Sequence, residues 1–137
     1  MNNLEARYNQ YKTLEELFYK ADEAGDENGK TFIRNYLNDF YEGMDDRFKT
    51  ALSMHKDNRD RGNEYFHLPY YDKDIVSDLK SWGVEKFTIY ESASAKTIAK
   101  FLQDGCKIDG VIERIGHAYD WYTKDYEKEI CFLLSIQ

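Results

Sequence analysis

The sequence holds little of what small enzymes and metal proteins are usually built from. Its three histidines, His55, His67 and His117, stand far apart with no HxxxH spacing, and its two cysteines, Cys106 and Cys131, form no CxxC pair. Such a set outlines neither a structural zinc site nor a dense disulfide framework. Both cysteines lie beside strand-like residues and read as reduced, buried packing residues. No GxSxG, GxGxxG or P-loop occurs. Cys106 with His117 is a conceivable nucleophile and base, but a cysteine after the helix-stop glycine Gly105 is more commonly a small packing side chain. Asp45 and Asp46 are sequence neighbours that point apart on a helix, so they do not make a general acid–base pair. The expectation is a non-enzyme with no metal, no cofactor and no catalytic residue.

A long apolar run is also missing. No stretch of about eighteen apolar residues exists, and "MNNLEARYNQYK" has no apolar segment of signal-peptide length, so no membrane span and a cytoplasmic location are expected. Basic residues are in the minority, nineteen against twenty-six acids, for a net charge of -7. Between Met1 and Asp46 the count is eleven acids against five bases. That excess repels phosphate, so direct nucleic-acid binding is not expected, while a basic protein partner fits.

Packable side chains, by contrast, are plentiful. Hydrophobic residues make up 42% and aromatics 16%, with twelve Tyr and eight Phe, far more than a disordered chain carries. At 137 residues the chain has the size of one domain with a sizeable core.

The apolar spacing divides the chain in two. In "TLEELFYKADEAG", Thr13 and Glu16 have the spacing of a capping box before the stripe Leu14, Leu17, Phe18 and Ala21, and Gly25 is the stop. After the turn "GDENG", a second helix is expected from Lys30 or Thr31 to His55 or Arg59. Over that span Ile33, Leu37, Phe40, Met44, Phe48, Ala51 and His55 share a stripe roughly 80° wide, with Gly43 as a point of bend or break. A third helix fits "DKDIVSDLKSWG". From Val84 the period changes. "VEKFTIYE" alternates as a strand, "SASAKTIAKFLQDG" reads as a Ser-capped helix, and "KIDGVIERI" and "EKEICFLLSI" read as two strands joined by "GHAYDWYTKDY". That connection exceeds a tight turn, so the hairpin tip is expected to project. The fold class is therefore α+β: one domain over 1–137, mostly helical over 1–82, then β-α-β-β over 83–137 as a three-stranded sheet covered by helices.

The run "WGVEKFTIYESASAKTIAKFLQDGCKIDGVIERI" and the strand after it resemble small uncharacterised proteins of phages and mobile elements of Gram-positive bacteria (Firmicutes), over about residues 68–137. The points of likeness are Phe87, Ser92, Ser94, Phe101, "DGCKIDG" and Val111. They are a cap, a glycine stop and core positions, so the resemblance implies a genomic setting and brings no catalytic set.

Two surfaces remain as binding candidates. The acidic one joins Asp39, Glu42, Asp45 and Asp46 in "NDFYEGMDDRFK" with Glu23, Asp26 and Glu27 before it. Its carboxylates, a few ångströms apart, compare with phosphate spacing and suit a basic groove meant for nucleic acid, although Lys49 is placed to pair with Asp45 and Asp46. The aromatic one gathers Tyr70, Tyr71, Tyr119, Trp121 and Tyr122 in expected loops, where such rings serve as interface anchors. The leading expectation is a protein-binding accessory protein of a phage or mobile element, inhibiting a nucleic-acid-binding host defence factor through acidic mimicry. The alternatives are a homo-oligomeric or structural protein using the aromatic loops, and a small enzyme or metal-dependent protein whose site assembles from scattered residues.

Overall fold

A computed structural model of the chain describes residues 3–137, which fall into two compact units, Met1–Ser53 and Met54–Gln137. The class is α+β, with the helix-rich part first and the strands after it.

The first unit opens with α1 (Leu4–Glu23), capped by Asn3, whose side chain accepts from the Ala6 N–H at 2.9 Å. The capping box expected at Thr13 and Glu16 is therefore not a helix start. Thr13 lies mid-helix, and its hydroxyl donates to the Asn9 carbonyl at 2.9 Å, the local bond that lets threonine sit inside a helix. Gly25, at φ +69°, ends the turn after α1, and Asp26 then caps α2 (Glu27–Asn38) by accepting from the Gly29 N–H at 2.9 Å. The expected hairpin is present, its second helix starting inside the "GDENG" turn. Phe18 of α1 lies beside α2, with the charged ends of Lys30 and Arg34 at 5.9 and 5.5 Å from its ring centre.

The long second helix does not form as one piece. It stops at Asn38, passes through a turn in which Gly43 takes φ +76°, and resumes as α3 (Asp46–Asp60). The apolar stripe survives the break because the turn keeps Phe40 against the hairpin: its ring meets Tyr11 edge-on at 5.2 Å and Tyr41 at 5.6 Å. Phe48 beyond the break is fully buried. A left-handed backbone strains any side chain with a Cβ by about 1–2 kcal/mol. Gly43→Ala should accordingly lower stability by about 1 kcal/mol. A fall in the urea midpoint at unchanged slope is the reading to look for.

The second unit contains the end of α3, β1 (Phe66–His67), α4 (Ile75–Ser81), β2 (Lys86–Tyr90), α5 (Ala95–Gln103), β3 (Cys106–Asp120) and β4 (Asp125–Ile136). The sheet order is β1-β2-β4-β3, with β1 parallel to β2 and the other pairs antiparallel. The sheet thus has four strands where three were expected. The extra one hides in "EYFHLPYY" because two residues beside the only proline carry no readable alternation. Ser94 caps α5 as the sequence indicates, accepting from the Thr97 N–H at 3.2 Å. Phe101 of α5 then sits 5.6 Å from Phe87 of β2, over a core that includes Leu134. Cys106 and Cys131 are free and buried.

One feature of this sheet positions the candidate site. β2 pairs with β4 only over Cys131 to Ser135, whereas β3 and β4 pair from Cys106↔Ile136 out to Asp120↔Asp125. Residues 113–130 therefore form a two-stranded arm extending beyond β2.

Candidate functional site

The arm ends in a four-residue turn, Trp121 to Lys124, much shorter than the loop expected between Gly116 and Tyr126. The Asp120 carboxylate accepts from the Tyr122 N–H at 2.8 Å and from the Thr123 N–H at 3.4 Å, and Lys124 closes the turn at φ +57°. Asp side chains stabilise turns in just this way, so the turn chemistry in "YDWYTKDY" concealed two strand ends. Tyr119 and Tyr126 face each other across the strands at 5.3 Å, and Trp121 leans on Tyr119 at 4.8 Å. The outcome is an aromatic tip whose Trp121 is 81% and Tyr122 99% exposed.

The base of the arm is braced. A register shift between Ile115 and Tyr119 bends β3, and Gly116 allows the close approach, since a Cβ there would meet the Glu127 carbonyl oxygen at 3.2 Å. Arg61 lies over the Tyr126 ring at 5.8 Å, contacts His117 Nε2 at 3.1 Å and donates to Asp57 at 2.6 Å. The Asn63 amide bonds both outward backbone groups of Ile115, accepting from its N–H at 2.7 Å and donating to its carbonyl at 2.9 Å.

The remaining aromatic candidates belong elsewhere. Tyr71 donates to Asp104 at 2.6 Å, an interaction that pushes its hydroxyl up to about 12, and its ring meets Phe101 edge-on at 5.0 Å. Tyr70 beside it is exposed. Asp104 lies two residues before β3 and the tip follows its last residue, so the two aromatic groups lie at opposite ends of a 15-residue strand roughly 50 Å long. The same strand separates Cys106 from His117, which rules out that dyad.

The acidic residues fall into three groups. Asp26 is occupied as the cap of α2, Glu27 lies 3.6 Å and Asp22 2.8 Å from Lys30, and Glu23 is exposed. Asp45 and Asp46 sit at the start of α3, where Asp46 lies 4.0 Å from Lys49. Asp39 and Glu42 stand on the turn after α2, and their side chains have no hydrogen-bond or ion-pair partner among the described residues.

Residues 50–136 match a family described as a domain of unknown function, DUF7698. The chain belongs to the DUF7698 family. Neither a curated protein nor a solved structure matches it.

Within the DUF7698 region the sequence reading missed a buried polar cluster. Arg114, only 5% exposed, forms an ion pair with Glu129 and donates to Asn58 Oδ1 at 2.6 Å. Asn63 donates to the same Asn58 oxygen at 2.9 Å, and Asn58 in turn donates to the Tyr65 carbonyl at 2.5 Å. The available signal was Arg114 in "KIDGVIERI", at the strand position that shares a face with Ile112. A cavity of about 500 Å³ borders Arg114, Asn63 and Thr88. Nearby, His67 lies buried on β1, bonded to Thr88 at 2.8 Å, with Nε2 lacking a partner among the described residues. Burial first, then the charges of Arg114 and His117, pull its pKa down to about 3. Burial likewise pushes the Cys106 and Cys131 thiols up to about 11. These groups are neutral at pH 7, which suits packing better than proton transfer. No cluster of three or more potential metal ligands occurs among the described residues, and no helix is long and apolar enough to cross a membrane.

Proposed function

We propose that this chain is a non-enzymatic, cytoplasmic accessory protein of a phage or mobile element, and that it binds another protein through the aromatic tip of the β3–β4 arm. The exposure of Trp121 and Tyr122 on a braced two-stranded support carries this reading. Water-facing aromatic rings give a folded monomer little stability, whereas in an interface they bury large area at low entropic cost. Holding the rings on paired strands lowers the ordering cost of association further.

Trp121→Ala with Tyr122→Ala should leave the folding midpoint within about 0.5 kcal/mol of the parent. The same double variant should weaken partner binding by tenfold or more, since central aromatic anchors contribute about 2 kcal/mol or more each. Comparing proteins retained from host lysate by parent and variant checks both halves, alongside sedimentation of each alone. A mass that rises with concentration only in the parent makes the partner a second copy. Identical retention and identical mass remove the tip from consideration.

A second reading, in which the helical hairpin engages a basic nucleic-acid-binding host factor, is favoured by the carboxylates of Asp39 and Glu42, which have no ion-pair partner among the described residues. A continuous phosphate-like row receives less support, because Asp22 and Glu27 are answered by Lys30, and Asp46 by Lys49.

A further inference from the structure

The first unit contains a groove of about 700 Å³ between α1 and the segment from Tyr36 to Glu42. Leu14 and Phe40 contribute its apolar lining. Tyr36, 57% exposed, stands at its side and stacks edge-on at 5.2 Å with Phe32, which is still more open. Asp39 and Glu42 border the same groove.

Charge decides what this groove suits. Arg7 also lines it, but its guanidinium donates to Gln10 at 3.3 Å and lies 5.9 Å from the Phe40 ring centre. The lining therefore carries two unpaired carboxylates against one cation, inside a unit with eleven acids and seven bases. A nucleic acid or an acidic segment would meet repulsion. An apolar surface flanked by free carboxylates matches an amphipathic basic segment, the pattern by which a partner helix is held in a groove.

We infer that this groove docks a short amphipathic segment of a partner protein, with an apolar side chain against Leu14 and Phe40 and a Lys or Arg reaching Asp39 and Glu42. The inference rests on the second reading above, in which the hairpin engages a basic partner.

The test is titration of the full ¹⁵N-labelled chain at low salt with three synthetic helical peptides of about fourteen residues. One is built of Leu and Lys, one of Ser and Lys with equal charge, and one of Leu and Glu. Resonance shifts at Leu14, Tyr36 and Phe40 are expected with Leu/Lys alone. Asp39→Asn with Glu42→Gln should weaken that binding about tenfold, and Asp45→Asn with Asp46→Asn less than twofold. Equal weakening by both pairs, or equally tight binding of the Ser/Lys peptide, would overturn the groove while leaving an acidic surface standing. If neither basic peptide binds, groove and second reading fall together. Shifts at the same residues on concentrating the protein alone would make the occupant a second copy and overturn the basic-segment assignment.

Discussion

Glu129→Ala should cost about 3 kcal/mol of folding stability, the largest effect expected of any single change in the polar cluster. Arg114 is held almost wholly out of water, and Glu129 supplies its counter-charge among the described residues. Removing the carboxylate leaves a buried cation whose remaining partner is the neutral oxygen of Asn58. Glu129 itself is about one-third exposed, with a side-chain accessibility of 36%, which keeps the expected loss at the lower end of the range for buried pairs. The reverse change should be milder. Arg114→Met removes the buried charge, leaves a carboxylate that water can reach, and should cost roughly 1 kcal/mol. Urea titrations of the two variants check the asymmetry. Equal losses would mean that desolvation of Arg114 does not govern this pair.

Acid should destabilise the chain from about pH 6.5 downward. His67 has a pKa of about 3 in the folded protein, against an ordinary value of 6.5 when unfolded. Its depressed folded value means that the unfolded chain takes up the proton first as pH falls. The contribution of the neutral ring is complete above pH 6.5 and is lost progressively between 6.5 and about 3. The slope is about 1.4 kcal/mol per pH unit, so roughly 2 kcal/mol should disappear between pH 6.5 and 5. The environment explains the direction: the ring is buried, Thr88 occupies Nδ1, the Tyr90 ring lies 4.4 Å from the imidazole, Nε2 has no partner among the described residues, and Arg114 and His117 oppose a further positive charge. His67→Gln should flatten the dependence over this window. An unchanged slope in the variant would assign the acid sensitivity to another group.

What was legible in the sequence was whatever a local pattern determines. Ser94 and Gly105 bounded α5, the alternation in "VEKFTIYE" marked β2, and the change of period near Val84 gave the α+β class. Where one local pattern fits two structures, the reading went astray. Thr13 with Glu16 has capping-box spacing, yet the helix had already begun at Asn3, which offers the same kind of oxygen. The apolar stripe from Ile33 to His55 is compatible with one helix or with two helices joined by a left-handed glycine, and Gly43 selected the second. Long-range features had no local mark. β1 exists because Phe66 and His67 lie beside Phe87 and Thr88, and the burial of Arg114 depends on Asn58, fifty-six residues away.

The candidate surfaces divide in the same way. Both aromatic segments were readable as interface-forming in composition, but only the register of β3 with β4 distinguishes Trp121 and Tyr122, held out on a tip, from Tyr71, tied to Asp104. Conversely, Asp39, Glu42, Asp45 and Asp46 shared one expected helix, and its break leaves the first two on a turn and the last two at the start of α3. The groove beside Asp39 and Glu42 is a product of that break.

The most direct test of the central claim is site-specific photo-crosslinking in the host cell, with a photoreactive phenylalanine placed in turn at Tyr122 and at Glu127 on the arm. One discrete adduct is expected from position 122, lost when Trp121 is changed to Ala, and little or none from position 127. Equal adducts from both positions, or none from either while the chain still retains a partner, would contradict recognition through the tip.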